Sequence, residues 1–110
     1  MPIYITRGRY SLEAIKNLAA NPQDRHDAVA KLAASAGAKL LNYYLTTGET
    51  DWMTIIEAPS AKEVATIVLA AATGGGTSDV VTVEAFTSAE AKQVFAAAGK
   101  AAASYKPPGK

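Results

Sequence analysis

The stretch that decides the fold is Lys39-Leu40-Leu41-Asn42-Tyr43-Tyr44-Leu45-Thr46-Thr47-Gly48-Glu49-Thr50-Asp51-Trp52-Met53-Thr54-Ile55-Ile56-Glu57-Ala58. Two runs rich in leucine, isoleucine and aromatic residues flank five residues of turn chemistry. This pattern predicts a hairpin with strands at 39–46 and 52–58. Pro59 ends the second strand, because proline has no N–H to give to a ladder. Toward the amino terminus, Ala36-Gly37 reads as a helix stop. The helix before it is predicted to start with Asn21 as N-cap, Pro22 at the first helical position and Asp24 in the first turn. Ser11 caps an earlier helical stretch running to about Ala20. Ile3 to Arg9 alternates as a strand does. Toward the carboxyl terminus, Ser60-Ala61-Lys62-Glu63 is a capping box opening a helix that runs to Gly74-Gly75-Gly76. Val80–Phe86 reads as a fourth strand. Thr87-Ser88-Ala89-Glu90 is a second capping box, opening an alanine-rich helix, and residues 106–110 read as a frayed tail.

The order β-α-β-β-α-β plus an extra carboxy-terminal helix predicts an α+β, ferredoxin-like sandwich. Its four-stranded antiparallel sheet has strand order 4-1-3-2 and helices on one face. Strands one and three are expected to be central, adjacent and parallel. The uncovered face is expected to carry Tyr4, Tyr44, Trp52 and Phe86. An apolar face of that size does not stay bare in water, so two subunits packing these faces together, as a dimeric α/β barrel, is the expected solution. The domain is expected over residues 1–98, with 99–110 as helix end and flexible basic tail.

Composition narrows the chemistry. The 110 residues include 24 alanines, 11 Lys+Arg against 10 Asp+Glu, one histidine and no cysteine. The length suits one domain. Alanine buries little area, so the core is predicted to be thin. A net charge of +1 gives no broad footprint for nucleic acid. Without cysteine, disulfides, thiolate catalysis and sulfur-ligated metals are excluded. No metal and no cofactor are expected. The apolar stretch Val64–Ala72 is about half of what a membrane span needs, and Met1–Tyr10 lacks the pattern of a secretory signal. The expected location is the cytoplasm of a bacterium-like cell, with neither nucleic acid nor membrane as partner.

Several residues in this pattern resemble the GYD-domain family, small bacterial proteins grouped with the dimeric α/β-barrel folds. The resemblance spans roughly Pro2 to Phe95. It rests on Tyr4, Ile15-Lys16-Asn17-Leu18, Pro22 with Arg25, Gly37 with Lys39, Tyr44, the turn Gly48-Glu49-Thr50-Asp51, Glu57-Ala58-Pro59 and Glu84-Ala85-Phe86-Thr87. The family's name-giving tyrosine position holds Thr50 here. The resemblance implies the fold and dimerisation, and no general activity.

Candidate chemistry is sparse. With the central strands aligned in parallel, Arg7 falls beside Glu57. That pair would either orient an anionic or enolisable substrate, with Glu57 as base, or simply form a cross-strand ion pair. His26 is a possible acid–base group or haem ligand, but its place in a first helical turn is also that of a solvated helix-start residue. Tyr4, Tyr43, Tyr44 and Trp52 would line a pocket between two sheets or fill a dimer core. Gly74-Gly75-Gly76 follows a helix and lacks phosphate-loop spacing, so it reads as a helix stop. Lys100, Lys106 and Lys110 make the tail mildly basic. Two functions fit: a homo-oligomeric module binding a small organic ligand or serving assembly, and a cofactor-free enzyme. The enzyme would be a monooxygenase, isomerase or cyclase acting on an aromatic or polyketide-like compound, using Arg7, Glu57, His26 and Tyr44.

Overall fold

A computed structural model describes residues 1–109, so Lys110 of the basic tail lies outside the described residues. The elements are β1 (Ile3–Tyr10), α1 (Leu12–Ala20), α2 (His26–Ser35), β2 (Lys39–Leu45), β3 (Trp52–Glu57), α3 (Ala61–Ala72), β4 (Thr77–Ala85) and α4 (Ser88–Ala102). The sheet order is β2-β3-β1-β4, the ferredoxin-like arrangement. All three neighbouring pairs are antiparallel, which corrects the expectation of parallel central strands. The cause is connectivity. A short turn forces β3 to run against β2, and the helical crossover brings β2 back parallel to β1, so β3 between them opposes both.

Period-two alternation sorts the strands into two faces. Tyr4, Thr6 and Gly8 of β1 are buried, as are Trp52, Thr54 and Ile56 of β3 and Leu40 of β2. These inward residues meet Ala33 of α2 and Val64 and Ile67 of α3 in the core. Ala33, Ala38 and Ala58 add little buried area to that core, which is thin for this reason. Tyr4 and Trp52 therefore belong to the helix-covered face, not the open one. Their register explains it: Tyr4 pairs with Ile56, and Gly8 with Trp52.

The open face carries Ile3, Ile5 and Arg7 of β1, Met53, Ile55 and Glu57 of β3, Val81 and Val83 of β4, and Tyr44 of β2. Tyr44 is 50% exposed and Val83 52% exposed, so no helix of the chain shields them. A register shift between Leu40 and Asn42 puts Leu40 and Tyr43 on the inner side and Tyr44 on the outer.

Helix boundaries follow local hydrogen bonds. The Ser11 hydroxyl accepts from the Ala14 N–H, and Thr87 and Glu90 form a reciprocal capping box at α4. Ser60 caps α3 through the Lys62 N–H, while its hydroxyl donates to the Glu63 carboxylate. That hydrogen bond is the first cause of a Glu63 carboxyl held below the ordinary range. α2 starts at His26, later than predicted. Asn21 instead closes α1 by donating to the Asn17 carbonyl, and the residue before a proline is pushed away from helical geometry. The Asp24 carboxylate accepts from the His26 N–H and marks the real helix start.

α4 makes no substantial contact with any other element, and none of its residues is buried. The molecule measures 60 × 32 × 22 Å with a radius of gyration of 17.8 Å. A compact chain of this length would have about 13 Å. No helix is long and apolar enough to cross a membrane among the described residues.

Candidate functional site

The β2–β3 turn is clamped to the end of β1. The Asp51 carboxylate accepts from the Tyr10 N–H at 3.0 Å, and the Asp51 N–H donates to the Gly8 carbonyl at 2.8 Å. The Arg9 side chain donates to the Glu49 carbonyl, and the Thr46 hydroxyl to the Thr50 carbonyl. Gly48 takes a φ of 99°, a value that favours glycine. These bonds position Trp52, the first residue of β3.

Trp52 packs its indole against Gly8. A Cβ built on Gly8 would sit 2.6 Å from the indole Cζ2, so only glycine leaves room for the ring. At the edge strand, the register of β1 and β4 shifts between Arg7 and Arg9, with Asp79 at a φ of 51°. The bulge extends β4 back to Thr77, three residues before the predicted start.

Between this face of the sheet and the helices is a cavity of about 380 Å³. Thr6, Tyr10, Tyr43, Trp52, Thr54 and Ile56 line it from the sheet. Leu18 of α1, Val29 and Leu32 of α2, and Ile67 and Val68 of α3 line it from the helices. It persists because α1 stands off the sheet: no residue of that helix is buried, and a bond from the Ser11 N–H to the Gly76 carbonyl tethers its start.

Two side-chain polar atoms of residues that line the cavity, Nε1 of Trp52 and Oγ1 of Thr77, are buried without a hydrogen-bond partner and do not open onto it. Native structures leave few such atoms, because each costs about 1–3 kcal/mol when nothing replaces water. Neighbouring polar groups are satisfied. The Thr6 and Thr82 hydroxyls bond each other at 2.9 Å, and Thr54 donates to the Thr6 carbonyl. The Tyr10 and Tyr43 hydroxyls also share a hydrogen bond. Burial first, and then that bond, push the Tyr43 phenol well above the ordinary tyrosine range, while Arg25 pulls in the opposite direction. Tyr43 is thus a neutral hydroxyl at pH 7.

Arg7 and Glu57 do not meet. Arg7 pairs with Met53 and Glu57 with Ile3, four residues apart along the strand, or roughly 13 Å. The register neighbour of Glu57 on β2 is Lys39. Arg7 and Tyr44 share a row on the open face, both beside Met53. His26 lies at the start of α2 with its Nδ1 3.6 Å from the Asp27 carboxylate, outside the cavity lining. Tyr4 borders a separate groove between α3 and β4. Of the expected ligand-contacting residues, Trp52 alone lines the cavity, from the helix side of the sheet. Tyr43, weighed with it as a pocket aromatic, lines the cavity too. Sequence reasoning does not single out Thr77, Arg25 or Tyr10 as site residues, and Thr77 in particular carries no sequence signal of its role. Among the described residues, no three His, Asp or Glu side chains converge as a metal site requires.

Fold and cavity together define a ferredoxin-like α+β domain with a partly open pocket between sheet and helices. A model of the GYD domain matches residues 4–95, and the chain belongs to the GYD domain family. Among solved structures, TTHA0845 from Thermus thermophilus is similar at 18% identity and a TM-score of 0.51, over 80% of this chain and 96% of that one. FFRP-DM1 is similar at 14% identity and a TM-score of 0.48, over 78% of this chain and all of that one. The likeness to TTHA0845 bears on the fold alone. No curated protein matches the sequence.

Proposed function

We propose that the protein is a homo-oligomeric binding module that takes a small organic molecule into the cavity between its sheet and helices. The observation that carries this reading is the cavity of about 380 Å³ itself, with mostly apolar walls and the residues Tyr10, Tyr43 and Arg25 among its lining. Mostly apolar walls with a few convergent polar groups are the usual composition of a small-molecule site. The oligomer is supported by the open sheet face. Ile5, Ile55, Val81 and Val83 form an apolar surface that a second copy would cover with its own equivalent. The reading places the module in the cytoplasm.

The protein has one tryptophan, so its indole N–H gives a single cross-peak in a ¹⁵N-correlation spectrum. A mixture of small aromatic and aliphatic compounds is expected to move that peak and the Thr77 amide together, while the open-face amides of Val81 and Val83 stay put. Shifts confined to the open face, or none at all, would contradict the binding reading. Sedimentation of the full chain at micromolar concentration is expected to give twice the monomer mass, and a monomer would contradict the oligomer.

A further inference from the structure

We infer that α4 is an exchanged arm: each protomer docks the apolar side of its α4 in the groove between α3 and β4 of a second copy. This rests on the homo-oligomer of the reading above and adds where the last helix goes. α4 spans 15 residues, makes no substantial contact with its own chain and has no buried residue. An alanine-rich helix of that length is marginal in water unless one side is covered. Its sequence carries such a side. At about 3.6 residues per turn, Ala91, Val94, Phe95, Ala98, Ala101 and Ala102 fall within roughly a third of the circumference, and Glu90, Lys92, Gln93 and Lys100 fall outside it. Phe95 is 76% exposed, so its ring stands in water in the single chain.

The groove is the matching surface. Ala61, Ala65, Val68, Leu69, Val80 and Thr82 line it, and no charged side chain does. Glu84 lies two positions beyond Thr82 on the same face of β4, beside Tyr4 in the register. Burial, and then the charges of Glu84 and Glu63, raise the Tyr4 phenol above its ordinary range, so this end of the groove is acidic. Glu63 is already bonded to Ser60, whereas neither Glu84 nor Lys92 has an ion-pair partner among the described residues. Lys92 borders the Phe95 edge of the stripe, which gives the arm a cation for that acidic end.

The occupant is a second copy because the chain's own helix does not return. Only Phe86 and Thr87 join β4 to α4, the Thr87–Glu90 capping box fixes the helix start, and no residue of α4 lines the groove. Short connections favour exchange between copies over folding back. Area points the same way. Four strands cover about 400 Å² in outline, about half of the roughly 800 Å² per partner that a stable interface buries. One side of a 15-residue helix covers about 220 Å². Each protomer gives one arm and receives one, so the exchange makes up the shortfall.

The chain has no cysteine, so Ala98→Cys with Ala65→Cys introduces two lone thiols, one on the arm and one in the groove. Oxidation of this double variant at micromolar concentration is expected to give a covalent dimer on a denaturing gel, while neither single variant links. A covalent monomer would put the helix in its own groove. Two free thiols in a protein of dimeric mass would leave the helix undocked. Either result overturns the exchange and leaves the open-face dimer standing, whereas a monomeric mass by sedimentation overturns the oligomer and the exchange together. Phe95→Ser is expected to weaken the dimer at least tenfold with helix content unchanged, because the residue is exposed in the single chain. Lys92→Glu is expected to weaken it about threefold, and adding Glu84→Lys to restore it. Undiminished dimer affinity in Phe95→Ser would also overturn the assignment.

Discussion

Gly8→Ala tests whether the Trp52 ring is seated as described. The added Cβ would fall 2.6 Å from Cζ2 and 3.0 Å from Cε2 of the indole, with the Ser78 carbonyl at 3.2 Å. Carbon atoms at rest stand about 3.5–4.0 Å apart, so the ring must retreat by about 1 Å. Gly8 is not among the residues at positive φ, so the backbone itself tolerates alanine. Over-packing of this kind costs about 1–3 kcal/mol, which lowers Tm by roughly 5–20 °C in a domain of this size. The assay is a double-mutant cycle by thermal and urea unfolding. In a Trp52→Leu background, whose side chain stops short of the Cζ2 position, the alanine should cost less than about 1 kcal/mol. The remaining cost would come from the Ser78 carbonyl, offset by the lower chain entropy of alanine in the unfolded state. The fluorescence of the lone tryptophan should also shift in Gly8→Ala. An equal penalty in both backgrounds, or no penalty in either, would show that Trp52 does not cover Gly8.

Other outcomes follow from the same geometry. Tyr43 is held protonated, so its contribution to stability is complete below about pH 10 and is lost as pH rises through its elevated folded value. Alkaline unfolding followed at 295 nm should show a late-titrating phenol that disappears in Tyr43→Phe. Glu90 behaves oppositely: the Thr87 N–H lowers its folded value, so its small contribution is present above the ordinary range of about 4.3 and fades as pH falls through the depressed value. A carbon-detected titration should put its midpoint below about 4.3, within the limits of screening at an exposed site. Val83→Asp should halve the sedimenting mass with folding intact, because Val83 is 52% exposed in the single chain; an unchanged mass would remove the open face from the interface.

Much of the fold was legible because it rests on local chemistry. Alternation in Ile3–Arg9, the hairpin residues 47–51 and the stop at Gly37 each report on a few neighbouring positions. Errors arose where distant segments decide. The relative direction of β1 and β3 depends on the crossover between them, and reading them as parallel created an Arg7–Glu57 pair that the antiparallel register separates. Which tyrosine faces inward depends on one extra residue near Leu41, and strict alternation would place Leu40 and Tyr44 together. The delayed start of α2 turns on an aspartate bonding two residues ahead, which competes with an equally plausible cap at Asn21. The cavity was the least legible feature. It exists because α1 stands away from the sheet, and Thr77 lines it only because β4 begins earlier than its valine-rich stretch suggests.

The central claim is that the working site lies on the helix side of the sheet, against Trp52. Its most direct test is a crystal structure of the protein grown with a compound that moves the indole cross-peak. The account predicts the molecule inside the cavity, in contact with Trp52, Leu32 and Ile67. A cavity closed by collapse of α1 onto Thr54 and Ile56, or the compound seated on the open face beside Tyr44, would contradict it.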